Sequence, residues 1–346
     1  MRILITGTEG YIGSRMGSIF IERGHEVLGL DTGFYRNGCL YVDPIGMPTA
    51  PRTTFKDLRT VTPRDFEGFD AIVHLAELSN DPLGQNQPEV TFKINHEGSV
   101  RIATAAKQAG VKRVVYASSC SVYGVGSGGD FLDETSPTNP QTAYAQCKVN
   151  VERDLKQLAS GDFCVTFLRN ATAYGPSPRM RFDIVLNDLC ALAWTRNKIA
   201  MVSDGSPWRP IVHIEDIIEA VRCVLEAPES AVNGEIFNVG STEENYRIRE
   251  IAQIVAEVFP GCEVSVGPPS DDNRSYRVSF EKIKTKLAGF ACRWSAKAGA
   301  EELRRLFERI DFNNGDYEYR AFTRLKQLKY LQGTGQVNDE LFWVVD

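Results

Sequence analysis

The sequence has no apolar run of the roughly 20 residues that a membrane span requires. Its eight cysteines are scattered, with no CxxC pair and no cluster of cysteine and histidine. This argues against a metal site and predicts free thiols. The chain has no excess of positive charge, since 45 Asp and Glu residues against 39 Lys and Arg residues give a net charge of −6, and such a surface has no general electrostatic attraction for nucleic acid. We therefore expect neither metal, membrane nor nucleic acid as partners.

The chain is long enough, at 346 residues of which 42% are hydrophobic, for one large domain or two smaller ones with a substantial core. Its first residues, Met1–Ile5, have the pattern of a strand. They leave no room for a secretory signal, which predicts a cytoplasmic protein.

Strand and helix patterns alternate through the first half of the chain. Such alternation is typical of an α/β fold with a doubly wound parallel sheet, covered by helices on both faces. The predicted strands are Arg2–Ile5, His25–Leu30, Ala71–Leu75, Arg113–Ala117 and Cys164–Leu168, and the predicted helices are Tyr11–Arg23, Val90–Ala109 and Tyr144–Leu158.

Beyond residue 168 turns become denser and helical patterns dominate. Two stretches, Val212–Ile214 and Glu235–Val239, still have the pattern of strands of the main sheet. We therefore predict a first domain over residues 1–168, with contributions from about 210–240. A smaller, interleaved α/β domain is predicted over residues 169–346. Its helices are expected at Ile184–Thr195, Glu215–Glu226 and Arg247–Phe259.

A glycine-rich turn, TGTEGYIG, lies between the first strand and the first helix. Its glycines permit a tight turn, close approach of the backbone to a pyrophosphate, and close packing of helix on strand. The charge of Glu9 in this turn would repel a pyrophosphate, so we expect its side chain to point to solvent. The turn predicts cofactor contacts at Gly7, Gly10, Tyr11, Ile12 and Gly13.

Asp31 ends the second strand, about 20 residues after this turn, where a carboxylate accepts hydrogen bonds from an adenosine ribose. The same carboxylate would repel a 2′-phosphate, which predicts NAD over NADP. His74, after an apolar run, is expected to be a packed core histidine. Four further residues are expected to contact the cofactor: Asp57 and Leu58, which follow a short apolar stretch, and Leu75 and Ala76, at the end of the strand that begins at Ala71.

Tyr144 and Lys148 lie four residues apart on one face of a predicted helix. A tyrosine has an ordinary pKa of about 10. A neighbouring ammonium and a positive nicotinamide favour the phenolate, so we expect a lowered pKa that suits Tyr144 to general base catalysis. Ser119, at the end of the strand that begins at Arg113, is expected to bind the same substrate oxygen, and Ser118 beside it to contact the cofactor.

Together these motifs resemble the NAD-dependent epimerase/dehydratase family of extended short-chain dehydrogenases/reductases, which includes UDP-glucose 4-epimerase. The resemblance covers nearly the whole chain and includes Asn95. It implies a Rossmann-type fold, with NAD held tightly by the first domain and a nucleotide-diphosphate sugar, the substrate, bound mainly by the second. It also implies a homodimer formed through two helices, here Val90–Ala109 and Tyr144–Leu158.

The resemblance implies substrate contacts in the second half of the chain as well. Thr172 stands where many members carry Asn, and Asn187 matches a position that often contacts the nucleotide. Arg209 would hold the diphosphate by charge-assisted hydrogen bonds. Arg274 resembles a second phosphate-binding arginine, and Arg277 competes for that role.

Three functions remain open. The first is an epimerase that oxidises a nucleotide sugar, at C4, and reduces it again with retained NAD. The second is a dehydratase, decarboxylase or ketosugar reductase on the same scaffold. The third is a non-catalytic dinucleotide sensor, which has no need of Tyr144. Dehydratases similar to this chain carry acidic residues directly after the catalytic Ser or Thr, where this chain has Cys120 and Ser121. The epimerase is therefore the preferred hypothesis.

Overall fold

A computed structural model describes residues 1–42, 50–79, 81–126, 130–268 and 274–344. None of the helices within these ranges is long and apolar enough to cross a bilayer. The strands are β1 Arg2–Thr6, β2 Glu26–Asp31, β3 Arg52–Phe55, β4 Ala71–His74, β5 Arg113–Ser119, β6 Phe131–Leu132, β7 Cys164–Asn170, β8 Thr172–Tyr174, β9 Lys198–Ala200, β10 Trp208–His213, β11 Ile236–Val239, β12 Asn245–Arg247, β13 Glu263–Ser265 and β14 Arg277–Val278.

The helices follow the predicted amphipathic segments closely. A π-helical stretch, Phe92–Glu97, joins α3 to α4, so the predicted helix Val90–Ala109 is observed in three consecutive parts. The helices are α1 Tyr11–Glu22, α2 Asp81–Asn86, α3 Pro88–Thr91, α4 Gly98–Gln108, α5 Ala143–Leu158, α6 Val185–Arg196, α7 Ile214–Glu226, α8 Glu229–Val232, α9 Ile248–Val258, α10 Glu281–Lys286, α11 Ala296–Arg309, α12 Asn314–Glu318 and α13 Arg324–Gly333.

The main sheet has seven strands, in the order β3-β2-β1-β4-β5-β7-β11, among the described residues. All neighbouring pairs in it are parallel. Because the strand order reverses between β1 and β4, a crevice opens there at the carboxyl ends of the strands. The predicted Rossmann-type α/β fold is confirmed, and so is the place of the stretch Glu235–Val239, which supplies β11.

The expectation for Val212–Ile214 was wrong. These residues overlap β10, which pairs in parallel with β8 and antiparallel with β12 in a separate three-stranded sheet. The position beside β7 in the main sheet is taken by β11. The chain therefore leaves the main sheet after β7 and builds a second, smaller sheet over its carboxyl edge.

Three apolar clusters form the core. One includes Phe20 of α1 and Val221 of α7, and another includes Ile102 of α4 and Val151 of α5. The third lies among α6, α9 and α11. Leu331 of α13 belongs to the cluster of α4 and α5, so the end of the chain packs against the first half. The division at residue 168 stays a prediction.

Candidate active site

A cavity of about 660 Å³ lies at the crevice between β1 and β4. It is also lined by three of the predicted substrate residues, Thr172, Arg209 and Arg274. Every residue predicted for the cofactor or for catalysis lines it: Gly7, Gly10, Tyr11, Ile12, Gly13, Asp31, Asp57, Leu58, Leu75, Ala76, Ser118, Ser119, Tyr144 and Lys148.

The glycine-rich turn is packed too closely for side chains at two of its positions. Gly7 has a φ of 83°, and a Cβ there would lie 3.0 Å from the backbone nitrogen of Ala76. A Cβ at Gly13 would overlap the carbonyl oxygen of Gly7. Only glycine tolerates these positions. The turn thus brings bare backbone to the cavity at the start of α1, where phosphates are favoured.

Asp31 is buried at the end of β2, with both carboxylate oxygens bound. The backbone N–H of Gly33 donates to Oδ1 at 2.7 Å, and that of Glu9 donates to Oδ2 at 2.9 Å. Burial raises the pKa of Asp31 to about 6, although the two N–H groups partly offset it. Asp31 is therefore held at the predicted ribose position, and its charge is sensitive to mildly acidic pH.

Glu9 does not point to solvent, contrary to expectation. Its carboxylate pairs with the guanidinium of Arg179, and both side chains are largely buried. Arg179 belongs to the segment that follows β8, which lies against the glycine-rich turn. The negative charge in the turn is thus compensated by a residue that is distant in sequence.

Asp57 is held by its neighbour two residues along the chain. Its Oδ1 accepts from Arg59 Nε at 2.9 Å and its Oδ2 from Arg59 Nη2 at 2.6 Å. The Arg59 guanidinium in turn lies 3.6 Å from the ring centroid of Phe342. Asp57 lines the cavity with its charge already paired, and contact with the adenine stays a prediction.

Tyr144 lies on the first turn of α5, which Thr142 caps through its side-chain oxygen. Ser119 lies close enough to Tyr144 to influence the pKa of its phenol, and its hydroxyl oxygen accepts from the backbone N–H of Ser121 at 3.1 Å. Lys148 Nζ lies 5.4 Å from the centroid of the Tyr144 ring and donates to the carbonyl oxygen of Ala117. The three predicted catalytic side chains are therefore together at the carboxyl end of β5.

The expected lowering of the Tyr144 pKa is not found. Burial raises the pKa of Tyr144, and the nearby carboxylates of Glu77 and Asp81 raise it further. Lys148 and, to a smaller extent, the interaction with Ser119 lower it, but the net direction is upward. The protein's own groups thus favour the neutral phenol.

The acidic residue Glu77 was missed in the sequence, where its only signal is a charge directly after His74-Leu75-Ala76. Its Oε2 lies 2.7 Å from Lys148 Nζ, and both side chains are almost fully buried. Burial lowers the pKa of Lys148, but the Glu77 carboxylate, together with Tyr144 and Cys147, raises it, and the net pKa is raised. The Lys148 ammonium therefore has a buried counter-ion.

His74 is a packed core histidine, as expected. Its ring is hydrogen-bonded to Thr6 Oγ1 at 2.7 Å and to Ser99 Oγ at 2.8 Å. Burial, and to a smaller extent the charge of Lys148, lower its pKa to about 3. The ring is therefore neutral at physiological pH and ties β4 to β1 and α4.

Ser118 directs its hydroxyl into the core. That hydroxyl donates to Glu152 Oε1 at 2.5 Å, and Glu152 also binds Arg169 through both carboxylate oxygens, at 2.9 and 2.7 Å. Ser118 lines the cavity, but its hydroxyl is bound to Glu152, so a contact with the cofactor would have to be made by its other atoms.

The two predicted phosphate-binding arginines lie side by side. Arg209 donates to the carbonyl oxygen of Arg274, and the guanidinium of Arg274 pairs with Asp81 of α2. Arg277 instead lies over the rings of Phe131 and Trp208, at 4.5 and 5.2 Å. Of the two competing residues, Arg274 lines the cavity and Arg277 is absent from its lining.

Asn187 of α6 is buried and absent from the cavity lining. Its Oδ1 accepts from the backbone N–H of Gly175 at 3.0 Å. Its Nδ2 lies within hydrogen-bond distance of Tyr11 Oη and the Arg181 carbonyl oxygen, at 3.1 Å each. This placement gives the predicted nucleotide contact no support and indicates that Asn187 holds the segment after β8.

Arg181, in that segment, is a second cavity residue that sequence analysis missed. It is only 7% exposed, and its Nε donates to Asp183 Oδ1 at 2.8 Å. Its Nη2 is buried without a hydrogen-bond partner among the described residues. A buried guanidinium with an unbound N–H group is suited to a phosphate oxygen.

Comparison with known proteins identifies the family. Residues 3–240 match the model of the NAD dependent epimerase/dehydratase family. The chain belongs to this family. Its members include NAD-dependent epimerases, dehydratases and decarboxylases of nucleotide sugars, and NAD is the cofactor of this protein.

Curated relatives of different activity match to similar degrees. A UDP-N-acetyl-alpha-D-glucosaminuronate decarboxylase of Bacillus cytotoxicus is 27% identical over 292 residues, 82% of this chain and 88% of that protein. A UDP-glucose 4-epimerase of Mycolicibacterium smegmatis is 30% identical over 272 residues, 74% of this chain and 82% of that protein.

Solved structures resemble the whole fold. The NAD-dependent NDP-hexosamine 5,6-dehydratase TunA superposes with a TM-score of 0.77 at 25% identity, covering 90% of this chain and 99% of its own. MoeE5, solved in complex with UDP-glucuronic acid and NAD, gives a TM-score of 0.75 at 25% identity and covers 88% and 99% of the two chains.

Proposed function

We propose that the protein is an epimerase of a nucleotide-diphosphate sugar, which oxidises the sugar at C4 and reduces it again with retained NAD. One observation carries the proposal. Ser119, Tyr144 and Lys148 line the same cavity as the cofactor residues, and no carboxylate follows Ser119 to assist an elimination. The set of groups is the minimum for reversible removal of a hydroxyl proton.

The residues around the cavity fit NAD. The bare backbone of the glycine-rich turn and the unbound N–H group of Arg181 suit the diphosphate, and Asp31 suits the adenosine ribose. Bound there, NAD supplies a reversible hydride acceptor. The closely packed Gly13 would not admit a side chain.

Tyr144 takes the proton of the sugar hydroxyl, and Ser119 holds the same oxygen by a hydrogen bond. Lys148 stabilises the phenolate, because opposite charges in a buried site attract strongly. After oxidation the ketosugar turns in the cavity, and Tyr144 returns the proton to the same oxygen. The product then differs from the substrate only in configuration.

The residues after Ser119 are unsuited to the elimination of water. The Cys120 thiol is buried and lies 3.1 Å from the carbonyl oxygen of Arg169, to which it donates. Burial raises the pKa of Cys120 well above its usual range. A neutral, buried thiol at this position serves neither as base nor as acid at neutral pH.

The substrate end of the cavity offers paired arginines. Arg209 and Arg274 line it, and guanidinium groups bind diphosphates by charge-assisted hydrogen bonds. The relatives with nucleotide sugars in their names support the same substrate class. We propose that both arginines contact the diphosphate. Experiment will identify the nucleobase and the sugar of the substrate.

We also propose that the enzyme is cytoplasmic and a homodimer through α4 and α5. The proposal of a dimer rests on the family resemblance. Arg101 of α4 and Arg153 of α5 are exposed on these helices. Analytical ultracentrifugation should give the mass of two chains, and a single-chain mass for the wild type would contradict it.

The deciding experiment incubates the purified enzyme with UDP-, GDP-, CDP-, ADP- and dTDP-sugars and resolves products by NMR and mass spectrometry. Epimerisation predicts an unchanged mass, inverted configuration at C4 and no accumulation of NADH. A product lighter by water or carbon dioxide, or steady formation of NADH, would refute it. Tyr144→Phe serves as the inactive control.

A further inference from the structure

The ion pair between Glu77 and Lys148 lies directly beside the catalytic tyrosine. Glu77 Oε2 is 2.7 Å from Lys148 Nζ, and the two side chains are only 3% and 5% exposed. Charges so well shielded from water interact strongly, since solvent screens them little. The state of one partner therefore depends on the other.

The Glu77 carboxylate is also held through its other oxygen, Oε1. Tyr116 donates its hydroxyl to Oε1 at 2.6 Å, and Ser99 Oγ lies 3.3 Å from the same oxygen. The next residue, Leu78, is fixed by two hydrogen bonds to the Asn95 amide, at 2.8 and 3.0 Å. This support keeps the carboxylate in one place while the cavity fills and empties.

The carboxylate opposes what Lys148 does for the tyrosine. Lys148 favours the phenolate of Tyr144, and Glu77 disfavours it. The charged or titratable groups that face Tyr144 or Glu77 from the surrounding elements are Asp81 of α2, which is paired with Arg274, together with Tyr116 of β5, Cys147 and Lys148 of α5, and Arg181 after β8.

We propose that Glu77 is a positioning residue that keeps Lys148 as a fixed ammonium and sets the pH range in which Tyr144 acts as a base. The inference rests on the proposed role of Tyr144. It does not depend on whether the reaction is epimerisation. Because of the Glu77 charge, Tyr144 exchanges its proton at a higher pH than it would beside Lys148 alone.

The test follows the ionisation of Tyr144 directly in the NAD-loaded enzyme. Tyrosine labelled in a ring carbon is incorporated, and the Tyr144 resonance is assigned by its loss in Tyr144→Phe. Glu77→Gln keeps the shape and removes the charge. The negative charge of Glu77 disfavours ionisation of the nearby Tyr144. Its removal should therefore lower the midpoint of the Tyr144 titration by about 1 pH unit or more.

Two controls separate charge from packing. Glu77→Asp keeps the charge and should retain a midpoint close to that of the wild type. Asp188→Asn removes a carboxylate elsewhere in the cavity lining, one bound by Tyr317 at 2.8 Å, and should not move the midpoint. A shift in Glu77→Asp as large as in Glu77→Gln would overturn the proposal, as would no shift in Glu77→Gln.

Glu77→Gln leaves Lys148 as an unpaired buried charge and can unfold the protein. The double variant Glu77→Gln/Lys148→Met has neither charge and avoids this cost. Its Tyr144 midpoint should lie below that of Lys148→Met alone. An equal or higher midpoint would refute the role of Glu77. Turnover enters none of these readouts, so a wrong assignment of the reaction would leave the result interpretable.

Discussion

The guanidinium of Arg179 pairs with the carboxylate of Glu9 and so joins the segment after β8 to the glycine-rich turn. Ser177 adds a hydrogen bond from its hydroxyl to the carbonyl oxygen of Tyr11 at 2.7 Å. Further along, Arg181 Nη1 lies 3.4 Å from Ser79 Oγ, in the loop after β4. The segment therefore connects the two loops that flank the crevice.

Breaking the Glu9–Arg179 pair should speed the release of NAD. The pair is partly shielded, with side chains 18% and 16% exposed, so we expect Arg179→Met to raise the dissociation rate about two- to fivefold. Stopped-flow fluorescence of bound NADH measures this rate. Arg196→Met, which breaks a surface pair with Glu318, is the matched control, and equal effects of both variants would contradict the expectation.

Arg181→Met should weaken NAD binding about ten- to a hundredfold, because a charge-assisted hydrogen bond to the diphosphate would be lost. Calorimetry with ADP and with adenosine separates this cause from general distortion of the site. The loss should be seen for ADP and be nearly absent for adenosine. Equal losses for both ligands would show that Arg181 supports the site without binding phosphate.

Local patterns predicted much of this site. The turn between β1 and α1, and the spacing of Tyr144 and Lys148 on α5, depend on neighbours in sequence. The ion pair of Lys148 does not depend on neighbours in sequence, because Glu77 reaches Lys148 only when β4 and α5 pack together. Arg181 likewise reaches the cavity only through the folding of segments that are distant in sequence.

The contacts of strands and side chains in the second half of the chain could not be predicted from local patterns either. The apolar strand pattern of β10 gives no information on which strand it will pair with, and in the structure β10 pairs with β8. Asn187 has a polar side chain on a helical pattern, and nothing in the sequence indicates that its amide is hydrogen-bonded to Tyr11 Oη and to backbone groups of Gly175 and Arg181.

NAD affinity should fall as the medium is acidified, because Asp31 must accept hydrogen bonds from the ribose. Burial raises the pKa of Asp31 to about 6, above the ordinary value for aspartate. The acceptor carboxylate is therefore present above that pH and is lost as the pH falls through it. Isothermal titration across this range should show constant affinity near neutrality and weaker binding below about pH 6.

Asp31→Asn should remove this pH dependence and narrow the preference for NAD over NADP. In the wild type that preference should be at least about tenfold, or about 1.4 kcal/mol. A pH-independent wild type, or NADP bound as tightly as NAD, would be inconsistent with ribose recognition by Asp31.

Tyr144→Phe should reduce kcat by about 10²–10⁴-fold while NAD binding stays nearly unchanged. The phenol oxygen is the proton acceptor, whereas the ring and Lys148 remain in place. Single-turnover kinetics with the identified substrate measures the loss. Tyr319→Phe, outside the cavity lining, controls for removal of a hydroxyl, and a loss below about tenfold in Tyr144→Phe would exclude it as the base.

Arg209→Ala should raise KM and leave kcat largely unchanged. A diphosphate lies away from the reacting carbon, so its contacts hold ground state and transition state alike, and their loss appears in KM. We expect an increase of about tenfold or more, as charge-assisted hydrogen bonds contribute about 1.5–3 kcal/mol. Arg209 also donates to the carbonyl oxygen of Arg274, so part of the effect would come from a displaced neighbour. Arg277→Ala removes an arginine that lies outside the cavity lining, over Phe131, and should leave KM unchanged. If both variants raised KM equally, the cause would be a general distortion of the region around β10 and β14 and not the loss of a diphosphate contact.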